Sequence, residues 1–232
     1  MEIKGLQKTT LLDYPEKLAA TVFTGGCNFR CPFCHNASLV LSPNESDKIS
    51  EEEFFSYLSK RKGVLDGVCV TGGEPLLSYD IKDFIQKIKD LGLSVKLDTN
   101  GSFPDKLEEL LDSGLVDYVA MDIKNCKEKY ALTAGISENS DFIEKADRSI
   151  NIIMSKAPDY EFRTTVVREL HDIEDIVKIA NRIQNAKKYF LQSYVDSGNI
   201  IKSGLTAYEP AEMLEILAAT RKILPVTMLR GI

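Results

Sequence analysis

The sequence predicts an α/β fold on a parallel sheet, and three observations carry that prediction. Short apolar runs alternate with amphipathic helical stretches from end to end, in six strand-then-helix repeats. Polar motifs follow the C-terminal ends of the first four strands, the edge where parallel α/β enzymes collect their chemistry. No internal repeat or low-complexity linker interrupts the 232 residues, so residues 1–232 are read as a single domain. Right-handed crossovers are expected. Periodicity alone does not choose between an open doubly wound sheet and a curved, barrel-like one.

Leu18–Phe23 reads as the first strand and runs into Gly25-Gly26 and a cysteine-rich loop. Ser50-Glu51-Glu52-Glu53 reads as a capping box, with Ile49 and Phe54 as a hydrophobic staple, opening a helix that turns Phe54, Phe55 and Leu58 inward. Gly67–Thr71 is a second, buried strand, followed at once by Gly72-Gly73-Glu74-Pro75. Ile81, Phe84, Ile85, Ile88 and Leu91 recur at helical spacing up to Gly92, a natural C′ residue. The third strand, Leu93–Leu97, leads to Asp98-Thr99-Asn100-Gly101 and a helix carrying Leu107, Leu110 and Leu111 up to Gly114. The fourth, Asp117–Met121, leads to Asp122-Ile123-Lys124 and a helix around 141–156. Tyr160–Val167 is the fifth strand, with a helix carrying Ile173, Ile176, Val177, Ala180 and Ile183. Lys188–Gln192 is the sixth, before a loop and a helix over 210–223; Val226–Leu229 is a candidate short strand.

The bulk properties narrow the function classes. A net charge of −6 argues against a nucleic-acid partner, which favours a basic face. Residues 1–17 are polar and mixed in charge, unlike a signal peptide, and no apolar run approaches the roughly 18 residues of a membrane span. Five cysteines, an odd number without the spacing of a disulfide scaffold, suit a reducing compartment, so a cytoplasmic location is expected.

The chemistry centres on Thr24–Asn36, where Cys27, Cys31 and Cys34 are spaced CxxxCxxC. Soft thiolates this close call for zinc or an iron–sulfur cluster. A closed structural zinc site takes four protein ligands. Here Cys69 and Cys126 are isolated in sequence and only His35 is nearby. Three cysteines on a four-iron cluster would leave one iron open to another ligand. With its aromatic before the last cysteine, the motif resembles the signature of the radical S-adenosylmethionine (SAM) enzymes. That resemblance implies one [4Fe–4S] cluster on Cys27, Cys31 and Cys34. Its open iron chelates the methionine part of SAM, and electron transfer cleaves SAM to a 5′-deoxyadenosyl radical. The longer string, Lys8–Pro15 through Cys34-His35-Asn36, resembles the glycyl-radical-enzyme activating enzymes, and within them the activators of anaerobic ribonucleoside-triphosphate reductase.

The resemblance favours an incomplete (β/α)6 barrel over a doubly wound sheet. It implies that Phe33 and the backbone of His35 lie near the adenine of SAM, and that Gly72, Gly73 and Glu74 hold its methionine. The chemical logic is that glycines expose backbone acceptors and a carboxylate can pair with an ammonium. Asp98-Thr99-Asn100-Gly101 and Asp122-Ile123-Lys124 resemble two elements whose aspartates, with nearby backbone oxygens, in relatives hold a monovalent cation beside SAM, the Lys124 position lying near the SAM site; oxygen ligands suit a hard cation. Asp13 matches an N-terminal Asp of the same relatives, and whether it faces substrate stays open. Arg163 and Gln192, late in strands five and six, could reach the open mouth. Cys69 reads as a small buried hydrophobe, Cys126 as a surface or helix-start thiol, and His171 as a residue at a helix start. With no cysteine between Cys34 and Cys69 or after Cys126, no auxiliary-cluster domain is expected.

The expected activity is therefore hydrogen abstraction from a glycine of a partner glycyl radical enzyme, most simply the anaerobic ribonucleotide reductase. Reduced flavodoxin or ferredoxin is the expected electron donor. Activation of pyruvate formate-lyase, or radical chemistry on a small molecule, is the alternative. From other classes, an electron carrier has no need of an open iron, and a zinc-stabilised binding module would be separated by metal analysis.

Overall fold

The computed structural model describes residues 1–42 and 48–232. Its strands are β1 (Ile3–Thr10), β2 (Ala19–Thr24), β3 (Gly67–Gly72), β4 (Ser94–Thr99), β5 (Tyr118–Asp122), β6 (Asp159–Val166), β7 (Tyr189–Ser193) and β8 (Thr227–Arg230). They form one sheet in chain order, from β1 to β8. β1 runs antiparallel to β2, and every later neighbour is parallel. A doubly wound sheet reverses its strand order at a switch point. Here the order never reverses, so the sheet winds in one sense, and β1 and β8 are the two edge strands of an open barrel. The expected α/β, partial-barrel class is the observed one; the candidate short strand at Val226–Leu229 forms β8, and the polar β1 is the addition.

The helices are α1 (Ala37–Leu41), α2 (Glu51–Lys60), α3 (Ile81–Asp90), α4 (Pro104–Asp112), α5 (Lys127–Ala134), α6 (Phe142–Lys156), α7 (Ile173–Arg182) and α8 (Pro210–Arg221). A 3-10 turn covers Pro75–Leu77. The expected stop and start signals act as their chemistry requires. Ser50 caps α2 by accepting the Glu53 N–H (3.0 Å), one half of the expected box. Phe54 and Leu58 are buried, Phe55 half-buried, and the Phe54 ring stacks on Phe84 of α3 at 5.3 Å. α7 carries a complete box between Asp172 and Asp175.

The middle strands are buried on both faces: Val68, Cys69 and Val70 of β3, and Val95, Lys96 and Leu97 of β4, are all at most 2% exposed. The outward face packs under helices, which explains the near-continuous apolar runs. Cys69 is the buried residue expected. Cys126 does start α5, as its N-cap, but it is buried rather than at the surface. His171 lies at the start of α7 and is also buried. Its Nε2 donates to the Lys124 carbonyl (2.8 Å) while its Nδ1 accepts the Val167 N–H (3.2 Å), so it braces the backbone after β5. Among the described residues no helix is long and apolar enough to cross a membrane.

Candidate active site

The site begins as a contact between two backbones. Thr24 at the end of β2 pairs with Gly72 at the end of β3. The ladder continues past both strands: Gly73 N–H donates to Thr24 O and Glu74 N–H to Gly26 O, each at 2.9 Å. A Cβ on Gly73 would lie 1.8 Å from Gly26 O, and Gly72 has φ +116°, so only glycines allow the two loops to close this far. On the other side, Arg30 N–H donates to Ala134 O (2.9 Å) at the end of α5. Asn36 adds a side-chain bond to Gly72 O (2.9 Å). The cysteine loop is thus clamped between β3 and α5.

Above the clamp lies a cavity of about 220 Å³. Cys27, Cys31, Cys34, Phe33 and His35 line it from the loop; Gly72, Gly73, Asp98 and Asn100 from the ends of β3 and β4; Asp122 and Lys124 from the end of β5. Every expected cofactor-binding residue reaches this cavity except Glu74. The Glu74 side chain turns into the wall, 1% exposed, and accepts hydrogen bonds from Thr99 Oγ1 (2.9 Å), Leu76 N–H (3.1 Å) and Asn100 N–H (2.7 Å). Burial pushes its carboxyl up to about 7, against the pull of those donors.

The three cysteines suit a cluster better than a single ion. Among the described residues no three His, Cys, Asp or Glu side chains close on one point as a lone metal would require. Thiols bound to separate irons of one cluster need only share the cavity, as these do. Burial raises the Cys27 thiol and raises that of Cys31 to about 12, so loading a cluster must release protons.

The far wall is electrostatic. Arg163 of β6 places its guanidinium between two carboxylates, with Nε 2.8 Å from Asp122 Oδ1 and Nη1 3.1 Å from Asp98 Oδ2. Lys124 pairs with Asp122 (3.0 Å), and buried Lys96 pairs with Asp98. Burial raises both carboxyls, but Arg163 with Lys124 or Lys96 outweighs it and holds them below the usual carboxylate range. The space expected for a monovalent cation between Asp98 and Asp122 is therefore spanned by Arg163.

A second cavity, about 190 Å³, shares Asp98, Arg163 and Gln192 with the first. Asp13 and Leu12 of the β1–β2 loop line it, as do Lys96, Glu161 and Arg230. Glu161 accepts from Tyr118 Oη (3.0 Å) and from both terminal nitrogens of Arg230 (3.1 and 3.2 Å). Lys96, Glu161 and Arg230 are functional candidates that sequence reasoning missed. The signal for Lys96 and Glu161 was Lys-x-Asp in β4 and Glu-x-Arg in β6, charged pairs two residues apart that must share the inward face; Arg230, at the end of β8, had no such pair.

Comparison with known proteins agrees with this geometry. The family model for the radical SAM superfamily matches residues 21–183. A protein of Methanocaldococcus jannaschii named for glycyl-radical enzyme activation is 33% identical over 194 residues, covering 83% of this chain and 79% of its own. The pyruvate formate-lyase-activating enzyme of Listeria monocytogenes is 27% identical over 224 residues, 88% of each chain. Among solved structures, a radical SAM methyltransferase from Sphaerobacter thermophilus superposes with a TM-score of 0.71 at 12% identity, over 94% of this chain and 67% of that one, a likeness of fold alone. The protein therefore belongs to the radical SAM superfamily, with the [4Fe–4S] cluster and SAM that membership implies, and within it to the glycyl-radical-enzyme activating enzymes.

Proposed function

We propose that this protein, acting as one domain with one cluster, generates a glycyl radical on a pyruvate formate-lyase-type partner. The observation that carries the reading is the convergence of Cys27, Cys31 and Cys34 with Gly72, Gly73, Asp98, Asn100, Asp122 and Lys124 on one cavity. When bound, the cluster and SAM supply the one-electron cleavage and the hydrogen-abstracting radical, with reduced flavodoxin or ferredoxin as electron donor. The chain's own work is to hold and orient. The three cysteines hold the cluster. Gly72 and Gly73 offer backbone to the methionine of SAM, and Phe33 and His35 border its adenine. Lys124 and Arg163 supply positive charge, and a monovalent cation at Asp98 and Asp122 would have to share them with Arg163. The second cavity, beside Asp13, gives a glycine-bearing segment of the partner a way in.

The relatives support a partner of the pyruvate formate-lyase kind better than the ribonucleotide reductase expected from sequence. The Lys8–Pro15 run is the observation that favours the reductase. Reduced, cluster-loaded protein mixed with SAM and each candidate partner should give a glycyl-radical doublet by electron paramagnetic resonance. Replacing the target glycine by alanine should remove it. A doublet in the reductase alone would change the partner and keep the class. SAM cleavage with no doublet in either would favour a small-molecule substrate, and no cleavage at all would sink the proposal.

A further inference from the structure

The Asn100 side chain contacts the sulfur of an expected cluster ligand. The residue follows β4 directly and is 6% exposed. Its amide orientation follows from its partners. The Ser102 N–H, which can only donate, lies 2.9 Å from Asn100 Oδ1. The Nδ2 group must then face the other way, where it meets Asn28 Oδ1 at 3.0 Å and Cys27 Sγ at 3.8 Å. Asn28 donates in turn to Ser102 Oγ (2.9 Å), which closes a ring of three residues through the Ser102 backbone N–H. Glu74 fixes the backbone beneath it by accepting the Asn100 N–H (2.7 Å).

The sulfur that receives this contact differs from the other two. Cys27 Sγ also accepts the Phe29 N–H (3.4 Å). Cys31 instead donates its own S–H to Ala134 O (3.6 Å). Among the described residues, Cys27 is the one cysteine of the three whose sulfur accepts hydrogen bonds. A donor aimed at a ligating thiolate stabilises negative charge there, which favours the reduced cluster and raises its potential.

We infer that Asn100 is a positioning residue that raises the reduction potential of the cluster through Cys27, its amide aimed by Ser102 and its backbone held by Glu74. This rests on the reading that Cys27, Cys31 and Cys34 carry the cluster. The test is a redox titration of the reconstituted protein, followed by electron paramagnetic resonance without SAM, with iron content measured in parallel. Asn100→Ala should keep about four irons per chain and shift the midpoint to lower potential. Asn100→Asp, which puts a negative oxygen where the donor was, should shift it further the same way. Asn28→Ala leaves Cys27 as the remaining acceptor of Asn100 Nδ2 and should not lower it. An unshifted midpoint in Asn100→Ala with full iron overturns the inference and leaves the cluster assignment standing. Loss of iron in both Asn100 variants also overturns it, in favour of a structural role. Wild-type protein that holds no iron–sulfur cluster brings down the cluster assignment itself.

Discussion

The two sides of the cofactor cavity are built by different means. On the β2–β3 side the wall is loop backbone, closed by glycines, and its one buried carboxylate, Glu74, meets only neutral donors. On the β4–β6 side the wall is strand interior, where Asp98 and Asp122 meet Arg163, Lys96 and Lys124. Burial raises all three carboxyls, and only the second side has paired cations to bring them back. The loop side is a shaped seat for thiol ligands, without paired charges. The strand side carries fixed charge that a zwitterionic cofactor can read.

The largest expected effect lies on the loop side. Cys31→Ala removes a ligand, and iron after anaerobic reconstitution should fall from about four per chain to background. Cys69→Ala, in β3 beneath the strand-side charges, and Cys126→Ala, at the start of α5, should keep full iron. Iron analysis with the cluster's visible absorbance checks this. Loss of iron in Cys69→Ala would mean that the two sides are not separable.

Next in size is Arg163→Ala, which strips the strand side of the group shared by two carboxylates. Removing one partner of a buried ion pair costs about 3 kcal/mol, and that loss is expected in urea unfolding of the metal-free protein. Arg163→Lys should recover only part of it, because an ammonium lacks the planar fork that reaches Asp98 and Asp122 together. Full stability in the alanine variant would show that Lys96 and Lys124 serve the two carboxylates unaided.

The same division explains what could be read from the sequence. Loop-side motifs are contiguous: the cysteines and the glycine pair stand out as strings, and on the strand side so do Asp98–Gly101 and Asp122–Lys124. The other strand-side residues, Lys96, Glu161, Arg163, Gln192 and Arg230, are scattered over β4, β6, β7 and β8, and they become neighbours only when the sheet curls. Arg163 and Gln192 were visible as late-strand polar residues, but their partners were not. Glu74 was legible as a motif residue and not as a brace, because a carboxylate's direction depends on which donors the fold brings to it. The polar β1 escaped because an edge strand paired on one side needs no apolar run; Lys8 and Thr9 are exposed. α5 escaped because the face it buries is made of Tyr130 and small residues, Ala131, Thr133 and Ala134.

The smallest effect expected is a pH slope, and it sharpens the comparison most directly. A Glu74 carboxyl raised to about 7 in the folded chain, from an ordinary value of 4.5, binds its proton more tightly folded than unfolded. Its contribution to stability is therefore fully present below pH 4.5 and is lost as pH rises through about 7. Between pH 5 and pH 8 that loss is on the order of 2 kcal/mol. Asp98 and Asp122, held low by their cations, contribute the opposite sign, and only at more acidic pH. Glu74→Gln cannot titrate, so urea unfolding of the metal-free variant should show a flatter stability profile over that window than the wild type. Gln also turns an N–H towards donors that met a carboxylate oxygen, so the variant should be less stable at every pH; the slope, not the offset, is the readout. Coincident slopes would mean that the donors from Thr99, Asn100 and Leu76 outweigh burial and keep Glu74 ionised. The loop side would then hold a full negative charge next to the cluster seat, and the contrast between the two walls would fail.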